Sequence, residues 1–288
     1  MTNMIVVTGA SSGIGYAACE SAIRGGAIAF GSVRKSADAD KLSAALGPNF
    51  RPLVMDVTDE ASITRAADEV RAALQGRTLM GLVNNAGIAV SGPILYLPTD
   101  EMRRQFEANL FGVHSVTRMF GPLLGAEPSL TGKPGRIVNI TSLAGKIGTP
   151  FMSPYVASKH ALEGYSASLR RELLIHGIDV IIIGPGAIQT EIWRKADEEG
   201  DGPYADTPYA PQVKRVRAFM QNMADRALPA SAVGDLIWRV LTIAQPKTRY
   251  ALLREPFEQW ILPRFLPQRL VDNIIGRRVG LLPTKNNR

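Results

Sequence analysis

The chain has one cysteine, Cys19, in 288 residues, so neither an intrachain disulfide nor a cysteine-built metal cluster can form. Histidine is nearly as scarce: His114, His160 and His176 are scattered along helical patterns without metal-ligand spacing, and no metal is called for. No window approaches the roughly 18 apolar residues of a membrane span. The opening "MTNMIVVTGA" lacks a basic leader and its apolar run stops after four residues, so it does not read as a signal peptide. A cytoplasmic protein is expected. Linker-like Ser/Gly or Pro runs and internal repeats are also missing, which predicts one domain over residues 1–255 and an extension over 256–288.

The charge is uneven. Net charge is +7, and the segment from Gln245 to Arg288 holds nine Lys and Arg against three Asp and Glu. A nucleic-acid protein gathers basic residues on a recognised module; none is present, so no nucleic-acid partner is expected. The tail "FEQWILPRFLPQRLVDNIIGRRVGLL" mixes Trp260, Phe265 and aliphatics with arginines. Either it lies on an anionic membrane surface, arginines at the headgroups, or it packs on the body or a second subunit. Pro256, Pro263 and Pro267 argue against one long helix.

Apolar runs at 4–7, 27–33, 51–57, 79–84, 136–140, 178–183 and 249–253 alternate with helical patterns at 13–25, 37–46, 59–75, 99–124, 155–176 and 230–244. Strands that are continuously apolar and separated by helices predict an α/β fold: a single doubly wound, Rossmann-type parallel sheet of about seven strands, covered on both faces. Ligands bind such sheets beyond the carboxyl ends of the strands, so those ends should carry the chemistry.

After the first strand comes "TGASSGIG", residues 8 to 15, with Gly9, Gly13 and Gly15 among Ser11, Ser12 and Ile14. Glycines let backbone approach a pyrophosphate, and the following helix offers free N–H groups at its positive end. The second strand ends in Arg34 and Lys35 with no carboxylate before Asp38; an arginine there accommodates a ribose 2′-phosphate, which favours NADP(H) over NAD(H). The third run ends at Asp56 and Val57, the fourth at "NNAG" with Asn85, Ala86 and Gly87, and the sixth at "GPGAIQT" with Pro185, Gly186, Ile188 and Thr190. Ser142 follows the fifth strand, and Tyr155 begins the next helix with Lys159 four residues on, a spacing that puts phenol and ammonium on one helical face.

In combination these motifs, with Asn109 in "EANLFG", resemble the short-chain dehydrogenase/reductase family from about Ile5 to Thr190. The resemblance implies that Tyr155 is the general acid/base, that Ser142 polarises the substrate oxygen, that Lys159 binds the nicotinamide ribose and lowers the tyrosine pKa, and that Asn109 holds a water in a proton relay. It also implies a homodimer or homotetramer paired through the helices at 99–124 and 155–176. "GSVRK" and "YVASKHALEGYSASLRREL" resemble the hydroxysteroid and retinol dehydrogenase branch. A substrate lid is expected over 191–229, and Trp193 with Ile147, Phe151 and Met152 either lines an apolar pocket or packs the lid on the sheet. The expected activity is interconversion of a bulky hydrophobic secondary alcohol and its ketone; a 3-oxoacyl thioester reductase and a non-catalytic nucleotide sensor are the alternatives.

Overall fold

The computed structural model describes residues 2–189, 202–255 and 265–283. Seven strands, β1 (Met4–Val7), β2 (Ile28–Val33), β3 (Phe50–Val54), β4 (Gly81–Asn84), β5 (Arg136–Ile140), β6 (Asp179–Pro185) and β7 (Arg249–Leu252), form one sheet. Their order is β3-β2-β1-β4-β5-β6-β7, with every neighbour parallel. The chain thus starts mid-sheet, runs out to β3 and returns beyond β1, which puts the switch point between the carboxyl ends of β1 and β4.

The helices are α1 (Gly13–Arg24), α2 (Ser36–Leu46), α3 (Glu60–Leu74), α4 (Thr99–Phe106), α5 (Gly112–Phe120), α6 (Ser153–Glu172), α7 (Ala210–Asp225), α8 (Ala230–Thr242) and α9 (Gln268–Val279). Alternate strand residues serve opposite faces. Ile5, Val7, Val83 and Val138 pack with Cys19 and Ala22 of α1 and Ile237 of α8. Met4, Val6, Leu82 and Ile137 pack with Ile63 and Val70 of α3 and Phe120 of α5. Each fully buried Leu, Ile or Phe stabilises the fold by about 1.5–3 kcal/mol. Burial pushes the Cys19 thiol up to about 12, so it is an inert core residue on the inner face of α1.

Four elements differ from the sequence pattern. The segment 99–124 is not one continuous helix: a π turn at Glu107–Phe111 separates α4 from α5, and a 3₁₀ turn closes it at Gly121–Leu124. Strand β6 continues through Pro185, paired with Leu252. Proline is tolerated because successive N–H groups alternate sides: Gly186 N donates to Leu252 O at 2.9 Å, so the N–H that Pro185 lacks would point past the end of β5. Helices α7 and α9, within the expected lid and extension, had not stood out in the pattern. They pack together: Gln212 Nε2 donates to Gly280 O at 3.1 Å and the Arg278 guanidinium lies 4.4 Å from the Phe219 ring centroid. Of the alternatives for the tail, its described part follows packing on the chain itself. Among the described residues no helix is long and apolar enough to cross a membrane.

Candidate active site

The glycine loop and the β4 end meet at the switch point and hold each other. Thr8 Oγ1 accepts from Asn85 N and Ala86 N, both at 2.9 Å, while Asn85 Nδ2 donates to Thr8 O at 2.9 Å and Gly9 O at 3.1 Å. Gly9 has φ +68°, and a Cβ there would stand 2.9 Å from Ala86 Cα. A Cβ on Gly15 would collide with the Gly9 carbonyl. Gly13 takes φ +56°. Only glycine permits these backbone conformations and approaches without strain. Ser11 and Ser12 are exposed, and no side chain of Ser12 caps the first turn of α1, so the backbone at this positive helix end is presented outward. That cradle of glycine backbone and uncapped helix start fits the pyrophosphate of a dinucleotide. The Asn85 amide, one of the candidate cofactor contacts, is occupied in tying β4 to the loop.

Beyond this centre, Arg34 is exposed at the end of β2 and makes no hydrogen bond or ion pair with any described residue. Asp56 forms a local turn, its Oδ1 accepting from Thr58 N at 2.9 Å and Thr58 Oγ1 at 2.8 Å. Val57 O lies 2.9 Å from where a Gly112 Cβ would be. On β6, Gly186 donates its N–H to Leu252 O and the Ile188 side chain is buried in the core at 4% exposure, so neither the Gly186 amide nor the Ile188 side chain is open to a ligand. Thr190 and Trp193 lie outside the described residues.

Ser142, Tyr155 and Lys159 converge. Ser142 leaves β5 in extended conformation, its Oγ accepting from Ala144 N at 3.1 Å, and its hydroxyl is near enough to the Tyr155 phenol to act on its ionisation. Lys159 is 5% exposed, donates from Nζ to Ile140 O at 2.8 Å, and keeps Nζ 5.8 Å from the Tyr155 ring centroid. Burial pushes the Lys159 ammonium down to about 8. It also pushes the Tyr155 phenol up, with the Ser142 hydroxyl opposing. The expectation that Lys159 holds the phenol low is therefore corrected for these residues: desolvation disfavours the phenolate and prevails.

Asn109 sits inside the π turn and is 1% exposed. Its Oδ1 accepts from Ile88 N at 2.8 Å; its Nδ2 donates to Ile88 O at 3.0 Å and to Ser158 Oγ at 3.2 Å. Ser158 Oγ in turn donates to Tyr155 O at 2.8 Å. The side chain thus clamps the loop after β4 to α6. Gly87 makes room for it, since a Cβ there would lie 2.9 Å from Asn109 Oδ1. Sequence reasoning missed Thr8, Ser158 and Gln105, whose Oε1 accepts from Val90 N at 2.6 Å. The signal available was a polar residue at an otherwise buried helix or strand position.

Ile147, Phe151 and Met152 are all partly exposed on the segment between Ser142 and α6. Phe151 holds φ +62° and its carbonyl accepts from Gly92 N at 2.7 Å. A positive φ on a bulky residue costs about 1–3 kcal/mol and persists where surroundings impose it. Its ring meets Tyr209 edge-on at 5.8 Å, and Tyr209 meets Tyr96 at 6.0 Å. An aromatic wall therefore rises from the Ser142 segment to the start of α7.

The short chain dehydrogenase family model matches residues 3–201. The chain is 38% identical over 269 residues to the NADPH-dependent 3-dehydrocapnine reductase of Ornithobacterium rhinotracheale, covering 93% of this chain and 94% of that protein. It is 30% identical to retinol dehydrogenase 7 of Rattus norvegicus, covering 94% and 87%. A crystal structure of a short-chain dehydrogenase from Streptomyces avermitilis superposes with a TM-score of 0.77 at 28% identity over 98% of both chains. With a glycine cradle at the switch point and a Ser, Tyr and Lys gathered at the neighbouring strand end, the chain belongs to the short-chain dehydrogenase/reductase family.

Proposed function

We propose that this protein is an NADP(H)-dependent oxidoreductase that reduces a hydrophobic ketone to its secondary alcohol. The observation that carries the reading is the convergence of the Ser142 hydroxyl and the Tyr155 phenol beside the buried Lys159. A phenol kept protonated by burial is a proton donor at neutral pH, which suits reduction. Tyr155 gives its proton to the carbonyl oxygen while the Ser142 hydroxyl holds that oxygen by a hydrogen bond. Lys159, with one N–H already on Ile140 O, has donors left for a ribose hydroxyl. Bound NADPH supplies the hydride. Asn109 keeps the β4 loop and α6 in register beneath these groups.

NADP(H) is supported by the exposed, unpaired Arg34 guanidinium, a fork that matches a phosphate, and by the NADPH dependence in the name of the 38% identical relative. Hydrophobic substrate is supported by Ile147, Phe151, Met152 and the Tyr96–Tyr209 contact, and a place near the hydroxysteroid and retinol dehydrogenase branch by the retinol dehydrogenase relative. A ketone screen followed by loss of NADPH absorbance tests the reading. Turnover of an apolar ketone with NADPH is expected; no oxidation by any ketone, with NADPH or NADH, would sink it.

A further inference from the structure

Two consecutive residues at the end of β5 are bound to successive turns of α6, and the third faces it. Ile140 O accepts from Lys159 Nζ at 2.8 Å and Thr141 Oγ1 donates to Glu163 Oε1 at 2.8 Å, while the Ser142 hydroxyl is near enough to the Tyr155 phenol to act on its ionisation. Residues 155, 159 and 163 follow one another at four-residue intervals along one helical face. Strand end and helix are therefore tied at two successive points with a third pair facing, and two of the three helical residues have chemistry assigned above. Glu163 has none.

A glutamate only 4% exposed is rare unless paired. Arg249 of β7 grips it with two nitrogens, Nε at 3.1 Å from Oε2 and Nη2 at 3.0 Å from Oε1, and Lys146 Nζ lies 3.3 Å away. The 3₁₀ turn Leu143–Gly145 that Ser142 caps rests directly on it: a Cβ at Gly145 would be 3.1 Å from Glu163 Cγ and 3.1 Å from Lys159 O. Burial alone would raise this carboxyl, but hydrogen bonds from Arg249 and Thr141 and the charges of Arg249 and Lys146 together hold it below the usual carboxylate range. A buried ion pair is a poor stability device compared with apolar packing. Its value here lies in where it holds the Ser142 turn.

We propose that Glu163 is a positioning residue for the reaction: gripped by Arg249, it fixes the Ser142 turn against the face of α6 that carries Tyr155 and Lys159, and so sets the spacing of the two groups that meet the substrate oxygen. The proposal rests on the reductase reading of those two groups.

Thr141→Val removes the hydroxyl that Glu163 accepts while keeping the side-chain shape and the Glu163–Arg249 pair. Its kcat is expected to fall roughly tenfold or more through misplacement of Ser142, with KM for NADPH unchanged, and amide exchange over residues 142–146 is expected to accelerate. Because Thr141 also makes a longer contact to Ile183 O at 3.3 Å, a second arm is needed. Glu163→Ala with Arg249→Leu removes both charges together and leaves no unpaired buried ion; it is expected to fold and to show the same loss of kcat and faster exchange. Wild-type kcat and wild-type exchange in either variant would overturn the proposal. Exchange also separates the two readings: if the parent protein reduces no ketone the reductase reading fails, while unchanged exchange over 142–146 in either variant is what refutes the positioning role.

Discussion

At the scale of single residues, the site places two ionisable groups in an environment that disfavours their charged forms. Burial raises the Tyr155 phenol and lowers the Lys159 ammonium from the ordinary 10.5 to about 8. Between pH 8 and 10.5 the unfolded chain holds a proton on Lys159 that the folded chain has released, so this residue's contribution to stability rises with pH across that window. The full span is worth about 3 kcal/mol. Urea unfolding of the parent protein against Lys159→Met should therefore show the difference moving in the parent's favour from pH 8 to pH 10; Tyr155 is common to both and cancels. A difference independent of pH would contradict the buried-ammonium account. Tyr155→Phe should lose about 10²- to 10⁴-fold in kcat, the range of a general acid, while NADPH binding measured by fluorescence stays near that of the parent. Lys159 shows what spacing alone conveys. The four-residue interval put it on the face of Tyr155, but the strand carbonyl that binds its ammonium belongs to Ile140, a contact no local pattern encodes.

At the scale of elements, the strand ends were the legible part. Continuous apolar runs set the seven strands, and Gly9, Gly13 and Gly15 announced the cradle because no other residue tolerates those φ values and approaches. Gly15→Ala should abolish NADPH binding, or shift the loop enough to weaken it by at least tenfold, through the collision with Gly9 O; titration calorimetry measures it. Arg34→Leu should raise KM for NADPH tenfold or more and leave that for NADH unchanged, since a charge-assisted hydrogen bond to a phosphate is worth about 1.5–3 kcal/mol. Equal affinity for both nucleotides in the parent protein would remove the basis for NADP(H). The π turn was not legible. Asn109 is an unfavourable residue in a helix interior, which marks the position, but the extra backbone residue of the turn goes with a clamp on Ile88, a residue 21 positions away. Glu163 was hidden for the same reason: its partner Arg249 arrives from another strand 86 residues on.

At the scale of the whole molecule, two features follow from how the elements leave their surfaces. Helix α9 binds α7 through Arg278 over Phe219 and Gln212 on Gly280, so the extension braces the helix that begins beside the aromatic wall at Tyr209. Truncation after residue 255 should raise KM for a bulky ketone while leaving NADPH affinity intact, which steady-state kinetics separates. Between them, α5 and α6 leave a groove lined by His114, Thr117, Pro122, Tyr165 and Leu169, and Leu174 and Ile175 just past α6 are 71% and 83% exposed. We propose this face as the pairing surface of a homo-oligomer; light scattering should find a dimer or tetramer, and Leu169→Asp should shift it toward monomer. The proposed function makes one central claim, that hydride passes from NADPH to a carbonyl carbon as Tyr155 protonates its oxygen. The most direct measurement is mass spectrometry of the alcohol formed from an apolar ketone and NADPH deuterated at nicotinamide C4. One deuterium on the carbinol carbon with the parent protein, and no labelled product with Tyr155→Phe despite bound cofactor, is the predicted result. Labelled alcohol formed equally by both proteins, or alcohol without deuterium from either C4 position, would contradict it.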